Sequence, residues 1–189
     1  MSDKAAKKKQ FILDTAKSVF SKKGYKDVTM KDIVEACDIS RGGLYLYFDN
    51  TESILLSCIN DEQKPENLLS GNSAGDAFAL FLNLQKKSVL NQEANLNVAI
   101  YEYLFSKYAA GETETEIKAS FDENVKMLSN ILDAGVESGE FYCEDSALAA
   151  RNIMYTIEGL KLSANTFGVT EKEVDMQLLY IMSGLLVEE

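Results

Sequence analysis

Residues 40–48 read SRGGLYLYF, and this stretch decides the fold of the N-terminal part of the chain. Ser40 is a preferred helix N-cap, so it predicts a short helix that starts at Arg41 and runs to Phe48. Leu44 and Phe48 stand four residues apart and would share one face of that helix. We expect that face to pack into the core of the protein. The opposite face would then stay exposed and could bind another molecule.

The opposite face carries residue types that suit contact with DNA. Gly42 and Gly43 lower helix propensity, but they leave space where a helix backbone approaches DNA in the major groove. Arg41 can reach a guanine edge or a phosphate, while Tyr45 and Tyr47 can bond phosphates and touch thymine methyl groups. Each feature also has an ordinary explanation, since Gly-Gly is usually a loop and a helical tyrosine is usually half-buried packing. The order and spacing of the whole set favour a DNA reader.

Two further helices are predicted before this stretch. An apolar stripe indicates a helix over residues 4–23, which Gly24 ends as a left-handed stop. Thr29 and Asp32 have the spacing of a capping box and begin a short second helix that ends at Asp38. A longer helix followed by two short helices joined by a tight turn is the plan of a helix-turn-helix.

Charge is distributed unevenly along the chain. Residues 1–48 carry 10 Lys and Arg against 6 Asp and Glu, whereas residues 49–189 carry 9 against 24. The net charge of −11 therefore combines a basic N-terminal part with an acidic remainder. Lys26 and the lysine run at residues 7–9 would suit a phosphate backbone, although such a run is more often a solvated tail.

The rest of the chain is predicted to be helical, and Pro65 is its only proline. Asn50 would cap a fourth helix, and residues 64–75 favour a loop. Five more helices are expected, over residues 75–90, 94–108, 112–138, 146–167 and 171–187. The predicted fold class is all-α with about nine helices, a three-helix helix-turn-helix DNA-binding module over residues 1–48 and a larger helical domain over residues 49–189.

Motifs in the N-terminal part carry a family resemblance. They are Ile12-Leu13-Asp14, Ala16, Val19-Phe20, Gly24-Tyr25, Val28-Thr29-Met30, Asp32-Ile33, Ile39-Ser40-Arg41-Gly42, Leu44-Tyr45 and Tyr47-Phe48, with weaker echoes at Gly135, Gly139-Glu140-Phe141 and Glu158-Gly159-Leu160. In order and spacing they resemble the TetR/AcrR family of transcription regulators. The resemblance implies nine helices, a homodimer held mainly by the last two helices, and a ligand cavity among the fifth to eighth helices. Residues 49–189 would then form the ligand-binding and dimerisation domain.

The resemblance also implies which residues contact DNA. The expected DNA-binding residues are Thr29, Arg41, Gly42, Gly43, Tyr45 and Tyr47, together with Lys26 and Thr51. Asp38 stands where the family usually has Gly in the turn, a conformation that Asp tolerates. Gly43 replaces the usual Thr or Ala, which bears on base preference. Thr51 replaces a usual Lys, so one phosphate-binding charge is missing.

Apolar stripes in the last two predicted helices favour a dimer. The eighth helix has heptad spacing, and the ninth is apolar on two sides, with Leu179, Met182 and Leu186 as its second stripe. The residues expected at the dimer interface are Ile153, Ile157, Leu160, Ala164, Leu178, Ile181 and Leu185. A monomer whose core is covered by a wide apolar stripe explains the same pattern almost as well, and the family resemblance favours the dimer. Two recognition helices about 34 Å apart would read a near-palindromic operator.

Aromatic and methionine side chains are the only sign of a ligand cavity. The expected ligand-binding residues are Phe81, Tyr101, Phe105, Tyr108, Phe121, Met127, Met154 and Tyr155. Plain core packing explains any single one of them better. Because no basic cluster marks an anionic ligand, we expect a small neutral or cationic apolar effector.

Several other classes of protein are disfavoured. The chain has no His, no nucleotide-binding glycine loop and no cluster of metal ligands, so we expect no enzyme activity, no cofactor and no metal site. Cys37, Cys58 and Cys143 are scattered, which is typical of reduced thiols rather than disulfides. A polar, lysine-rich start and the absence of long apolar runs favour a cytoplasmic protein without membrane contact.

The sequence therefore predicts a ligand-responsive transcription regulator, a repressor that a small apolar effector releases from its operator. Two alternatives stay open. One is a DNA-binding protein of the same fold that is controlled by a protein partner. The other is a helical small-molecule carrier that binds no DNA.

Overall fold

A computed structural model describes residues 3–62, 73–91 and 95–185, and these ranges contain nine α-helices. They are α1 (Asp3–Lys23), α2 (Met30–Cys37), α3 (Arg41–Tyr45), α4 (Thr51–Glu62), α5 (Ala74–Leu90), α6 (Asn97–Ala109), α7 (Glu116–Ser138), α8 (Ser146–Ala164) and α9 (Glu171–Ser183). The predicted all-α class is confirmed.

The helices α2 and α4 begin at the predicted caps. At α2, the Asp32 N–H donates to the Thr29 hydroxyl, and the Thr29 N–H donates to Asp32 Oδ2 at 2.8 Å. At α4, Asn50 Oδ1 accepts a hydrogen bond from the Ser53 N–H at 2.8 Å. Such caps satisfy amides that the start of a helix leaves without an intrahelical partner.

The recognition helix α3 is shorter than predicted, because it ends at Tyr45 instead of at residue 48. The Tyr47 N–H turns back to the Leu44 carbonyl at 2.9 Å, and the Phe48 N–H bonds to the same carbonyl at 3.2 Å. This tight turn ends the regular helix but keeps the side chain of Phe48 on the buried side, next to Leu44.

Three later helices are also shorter at one end than their apolar patterns suggest. α6 begins three residues later than predicted, α7 begins four residues later, and α8 ends three residues earlier. Gly111 follows the end of α6, and Gly168 ends the turn that follows α8. Both adopt left-handed backbone, with φ of 79° and 81°, which is typical of a residue just after a helix. The predicted loop over residues 64–75 lies mostly outside the described residues, as does the predicted end of the last helix.

The chain divides into two compact units. The first unit combines residues 1–64 with residues 93–117, so it holds α1 to α4 together with α6. The second unit combines residues 65–92 with residues 118–189 and holds α5, α7, α8 and α9.

The first unit is organised around α1, which packs against α2, α4 and α6. Each of its five helices contributes at least one buried side chain to a single core, including Phe20, Ile33, Leu44, Leu55 and Tyr103. Burying an aliphatic or aromatic side chain of this size contributes about 1.5–3 kcal/mol. The core therefore makes α6 part of the same folded body as the helix-turn-helix.

In the second unit, α5 packs against α8 and α9, and α7 completes the core. Gly135 on α7 lies directly under the ring of Phe141, and a Cβ at position 135 would overlap that ring. The Phe141 ring in turn packs edge-on against Phe78, with ring centroids 5.6 Å apart. Glycine is thus required on α7 because an aromatic ring approaches its backbone.

Gly135→Ala is expected to lower the free energy of unfolding by about 2 kcal/mol, because the added methyl group would force the Phe141 ring out of its site. The matched control is Gly42→Ala on α3, where an added Cβ meets no atom within 4 Å. The control should raise the free energy of unfolding by about 0.5–1 kcal/mol through helix propensity. Urea unfolding at one protein concentration measures both, and equal stability of the two variants would contradict the close contact.

The corner between α1 and α2 is held by the carboxylate of Asp32. Lys23 Nζ lies 2.6 Å from Asp32 Oδ1, and Thr29 donates to the other oxygen. These hydrogen bonds, that from Lys23 first, hold the pKa of Asp32 well below its usual range. A carboxyl with a lowered folded-state pKa contributes stability above its ordinary pKa of 3.8 and loses it as the pH falls further.

Asp32→Asn is therefore expected to destabilise the protein at neutral pH, and its difference from wild type should shrink as the pH falls below about 4. Urea unfolding at a series of pH values measures this difference. The control Asp49→Asn removes a carboxylate from the exposed segment between α3 and α4, and it should lower the free energy of unfolding at neutral pH much less than Asp32→Asn does. If the free energy of unfolding of Asp32→Asn differed from that of wild type by the same amount at every pH, a contribution of the carboxylate charge would be ruled out.

Candidate nucleic-acid interface

The turn between α2 and α3 sets which side of α3 is buried. Asp38 adopts left-handed backbone with φ of 49°, and Ser40 Oγ accepts a hydrogen bond from the Gly43 N–H at 3.1 Å. Leu44 and Phe48 are both buried in the core of the first unit, which confirms their predicted orientation. The opposite side of α3 is consequently turned to the outside.

The exposed side of α3, which we call the reading edge, is formed by Arg41, Gly42, Tyr45 and Leu46. The Arg41 guanidinium lies 5.6 Å from the centroid of the Tyr45 ring, a cation–π distance. A Cβ at Gly42 would meet no atom within 4 Å, so Gly42 leaves an open place in the edge and serves no packing contact. A forked donor, an aromatic ring and an open backbone suit a surface that approaches base edges in a groove.

Leu46 belongs to the reading edge but was not predicted from the sequence. Its side chain is 83% exposed, although it is large and apolar. An apolar side chain in this place suits contact with thymine methyl groups. The signal was present in the sequence, because residue 46 falls between the core-facing Leu44 and Phe48 and has no core partner of its own.

The other predicted DNA contacts differ in exposure. Thr29 is exposed, but its hydroxyl takes part in the capping box of α2. Lys26 is exposed, whereas Gly43 and Thr51 are half-buried. Tyr47 is half-buried and packs against the core of the first unit, so its ring has a structural role whatever its hydroxyl contacts.

A basic concave surface is formed by the start of α1 together with Tyr47. It is lined by Lys4, Lys7, Lys8 and Phe11. Lys8 Nζ lies 4.9 Å from the centroid of the Phe11 ring, which is partly exposed. Since Tyr47 directly follows the reading edge in the chain, cations lie close to the end of that edge, where they suit a phosphate strand.

The predicted ligand-binding residues are divided between the two units. Tyr101, Phe105 and Tyr108 lie on α6 in the first unit, where Phe105 and Tyr108 are 64% and 73% exposed. The second unit holds Phe81, Phe121, Met127, Met154 and Tyr155.

Within the second unit these residues have different surroundings. Phe81 and Met154 are buried in the core, and Met127 packs against it. The rings of Phe121 and Tyr155 are stacked, with centroids 5.7 Å apart and planes inclined by 17°. Core packing accounts for Phe81 and Met154, whereas the stacked pair presents an aromatic surface, since more than half of Tyr155 is exposed.

The residues predicted for the dimer interface lie in the core of the chain itself. Five of them are buried, namely Ile153, Ile157, Ala164, Leu178 and Leu185, and the remaining two, Leu160 and Ile181, are half-buried against the same core. A side chain that is already covered by its own chain is not free to contact a second subunit. Of the predicted interface residues, Leu160 and Ile181 keep part of their surface exposed, and a dimer through α8 and α9 stays a prediction.

Exposed apolar side chains remain on both of these helices. On α8, Leu148, Tyr155 and Leu162 follow one another at intervals of seven residues and are all exposed. On α9, Leu179 and Tyr180 are 62% and 78% exposed. Heptad spacing on an exposed side is the pattern expected of a helix that pairs with another helix.

Comparison with known proteins identifies the family. The sequence model described as "Bacterial regulatory proteins, tetR family" matches residues 12–58, and the one described as "Tetracyclin repressor-like, C-terminal domain" matches residues 77–175. The chain belongs to the TetR family. The first match includes all of α2 and α3, so the reading edge lies within the helix-turn-helix of a TetR-family transcription regulator.

Relatives of this TetR-family regulator extend along most of its length. The HTH-type transcriptional regulator QacR of Staphylococcus aureus (strain Mu50 / ATCC 700699) is 38% identical over 170 residues, which cover 87% of this chain and 89% of QacR. The uncharacterized HTH-type transcriptional regulator YfiR of Bacillus subtilis (strain 168) is 28% identical over 193 residues, 97% of this chain and 94% of YfiR. Among solved structures, the SmeT–triclosan complex matches with a TM-score of 0.74 and 16% identity over 96% of this chain and 93% of that chain, so it shares the fold.

Two features are absent from the described part of this TetR-family chain. No helix there is both long and apolar enough to cross a membrane. In the same ranges, no three Cys, Asp or Glu side chains are grouped in a way that would hold a metal ion.

Gly42→Ala tests whether the reading edge approaches DNA closely. The variant should fold as well as wild type or gain about 0.5–1 kcal/mol, because the methyl group meets no atom of the chain and alanine favours helix. Its affinity for a DNA site of the regulator should nevertheless fall about tenfold, or roughly 1.4 kcal/mol, because the methyl group occupies space that DNA needs. Fluorescence anisotropy with a labelled duplex measures the affinity. Ser18→Ala on the exposed side of α1 is the control, and unchanged affinity for Gly42→Ala would contradict a close approach.

Proposed function

We propose that this regulator is a ligand-responsive repressor that binds a near-palindromic operator as a homodimer. The observation that carries the proposal is the reading edge, which stays exposed while Leu44 and Phe48 fix α3 in the core. The residues proposed to contact the operator are Thr29, Arg41, Gly42, Gly43, Tyr45 and Tyr47, with Lys26 and Thr51 beside them and Leu46 added from the structure.

The contacts divide between bases and phosphates. Arg41 supplies a forked donor for a guanine edge, and Leu46 supplies an apolar contact for a thymine methyl group. The basic surface of Lys4, Lys7 and Lys8 supplies cations for the phosphate backbone. Base contacts give sequence preference, whereas phosphate contacts give affinity that depends on salt.

The homodimer is proposed to form through the exposed sides of α8 and α9. The heptad of Leu148, Tyr155 and Leu162 on α8 and the exposed pair of Leu179 and Tyr180 on α9 support this assignment. A two-fold axis between the subunits would present two reading edges to successive major grooves, which requires an inverted repeat in the operator.

The effector is proposed to be a small apolar compound. In this proposal residues 1–48 read DNA, while residues 49–189 bind the effector and the second subunit. Phe121 and Met127, which are partly buried against the core of the second unit, support an apolar ligand. SmeT, which has the same fold, has been solved in complex with triclosan, a small molecule.

Release follows if the effector binds the conformation that does not fit the operator more tightly than the one that does. A ligand shifts a conformational equilibrium only by its difference in affinity for the two states. The proposed repressor therefore needs no chemical step, and neither a cofactor nor a metal has a part in it.

Selection from random DNA duplexes tests the proposal. Wild type is expected to enrich an inverted repeat, and Arg41→Ala should lose preference at a base in each half-site, at a cost of about 1–3 kcal/mol. Tyr47→Phe should weaken binding uniformly, because it removes the hydroxyl and leaves the ring in the core. Tyr142→Phe, at an exposed position of the second unit, is the matched control and should bind as wild type does.

Three outcomes would contradict parts of the proposal. Enrichment of a single half-site would contradict the homodimer. Affinity that does not fall with salt concentration would contradict the phosphate contacts. A lack of any enriched sequence would contradict operator binding and would redirect the search to protein partners.

A further inference from the structure

One carboxylate of α6 caps the corner between α1 and α2. Glu102 Oε2 accepts hydrogen bonds from the backbone N–H groups of Tyr25 at 2.6 Å and Lys26 at 3.0 Å. These amides follow Gly24, whose φ is 76°. Successive amides in such a turn form a concave site for an anion, and here a side chain of the same chain occupies it.

The contact leaves no room for a side chain at Gly24. A Cβ built at that position would lie within 3 Å of the carboxyl carbon and both oxygens of Glu102. Glycine is therefore needed both for the left-handed backbone and for the close approach of the carboxylate. Hydrogen bonds to a charged acceptor are shorter and stronger than neutral ones, so this is a firm contact between α6 and the corner.

A second polar contact from α6 reaches the start of α4. Glu52 Oε1 accepts a hydrogen bond from the Tyr103 hydroxyl at 3.0 Å and pairs with Lys107 Nζ at 2.9 Å. Burial, followed by the hydrogen bond to Glu52, raises the pKa of Tyr103 to about 12, so the hydroxyl stays a donor at neutral pH. The Tyr25 ring packs edge-on against Tyr103, with centroids 5.3 Å apart, and joins the two contacts.

The two contacts hold both ends of the segment that reads DNA. The corner of Tyr25 and Lys26 directly precedes α2, and Glu52 lies in the first turn of α4, which follows α3. The segment between them contains the whole reading edge. Two proposed DNA contacts lie at these ends. Lys26 donates its backbone N–H to Glu102, and Thr51 directly precedes Glu52 in the chain.

We propose that Glu102 is a positioning residue for operator binding, because it holds the α1–α2 corner, and Lys26 with it, in the conformation that DNA requires. The inference rests on the proposed function above. Any shift of α6 that withdraws Glu102 from the two amides lowers DNA affinity while the first unit stays folded.

The direction in which removal of Glu102 changes DNA affinity distinguishes a positioning role from an effect of its charge. Glu102 is an anion in the unit that binds DNA, so its removal would strengthen attraction to phosphates if charge alone mattered. Loss of positioning acts in the opposite direction. Glu102→Ala is expected to weaken operator binding about tenfold, the effect of losing one charge-assisted hydrogen-bond site. Glu35→Ala, which removes an exposed carboxylate of α2 in the same unit, should bind as tightly as wild type or more tightly.

The experiment compares wild type, Glu102→Ala, Glu102→Gln and Glu35→Ala. Affinity is measured on the duplex that wild type selects, and amide hydrogen exchange is measured by NMR without DNA. Exchange at Tyr25 and Lys26 should rise about tenfold in Glu102→Ala. Glu102→Gln keeps an oxygen acceptor, so its affinity and its amide protection should lie between those of Glu102→Ala and wild type.

The outcomes test different parts of the proposal. Glu102→Ala binding as tightly as wild type would overturn the positioning role. Loss of amide protection throughout α1 and α2 would also overturn it, because the weaker binding would then reflect unfolding. If wild type selects no duplex, the proposed function fails and the inference fails with it. The amide exchange, measured without DNA, separates that case from failure of the Glu102 contact alone.

Discussion

The burial of Leu44 and Phe48 in the core of the first unit holds a recognition helix that is too short to be stable alone. α3 has 5 residues, far fewer than an isolated helix needs in water. Its position therefore depends on these two side chains, on the cap from Ser40 and on the left-handed backbone at Asp38. The same contacts determine which side of α3 stays exposed, so the core of the unit and the orientation of its DNA-binding surface have one origin.

The composition of the reading edge shows that α3 is not optimised for stability. Gly42 lowers helix propensity in a place where an alanine would fit, and Leu46 exposes a large apolar surface to water. Neither choice helps the isolated chain, whereas both suit a surface that is covered when DNA is bound. Departures of this kind from local stability are expected where binding requires them.

Local signals in the sequence predicted the local structure well, but they did not predict long-range packing. Thr29, Ser40 and Gly24 act on their own neighbours in the chain, so the starts of α2 and α3 and the end of α1 followed directly from them, whereas the early end of α3 at Tyr45 did not. On α9, Leu178 and Leu179 belong to two similar apolar stripes, and only the three-dimensional packing determines that Leu178 is buried and Leu179 is exposed. Glu102 reads as an ordinary helix charge, because the amides it binds lie 76 and 77 residues earlier in the chain.

The first unit is assembled from two separate stretches of chain, with α5 of the second unit between them. Leu96, Ala99 and Tyr103 on the later stretch are buried in the same core as α1 and α4. The helix-turn-helix of this regulator therefore cannot be transferred to another protein without α6 and keep its core. A chimeric biosensor made by joining residues 1–62 to the effector domain of another regulator would uncover that core and pair it with a foreign α6. Fusions that keep the original operator preference should therefore carry α6 along with the first four helices.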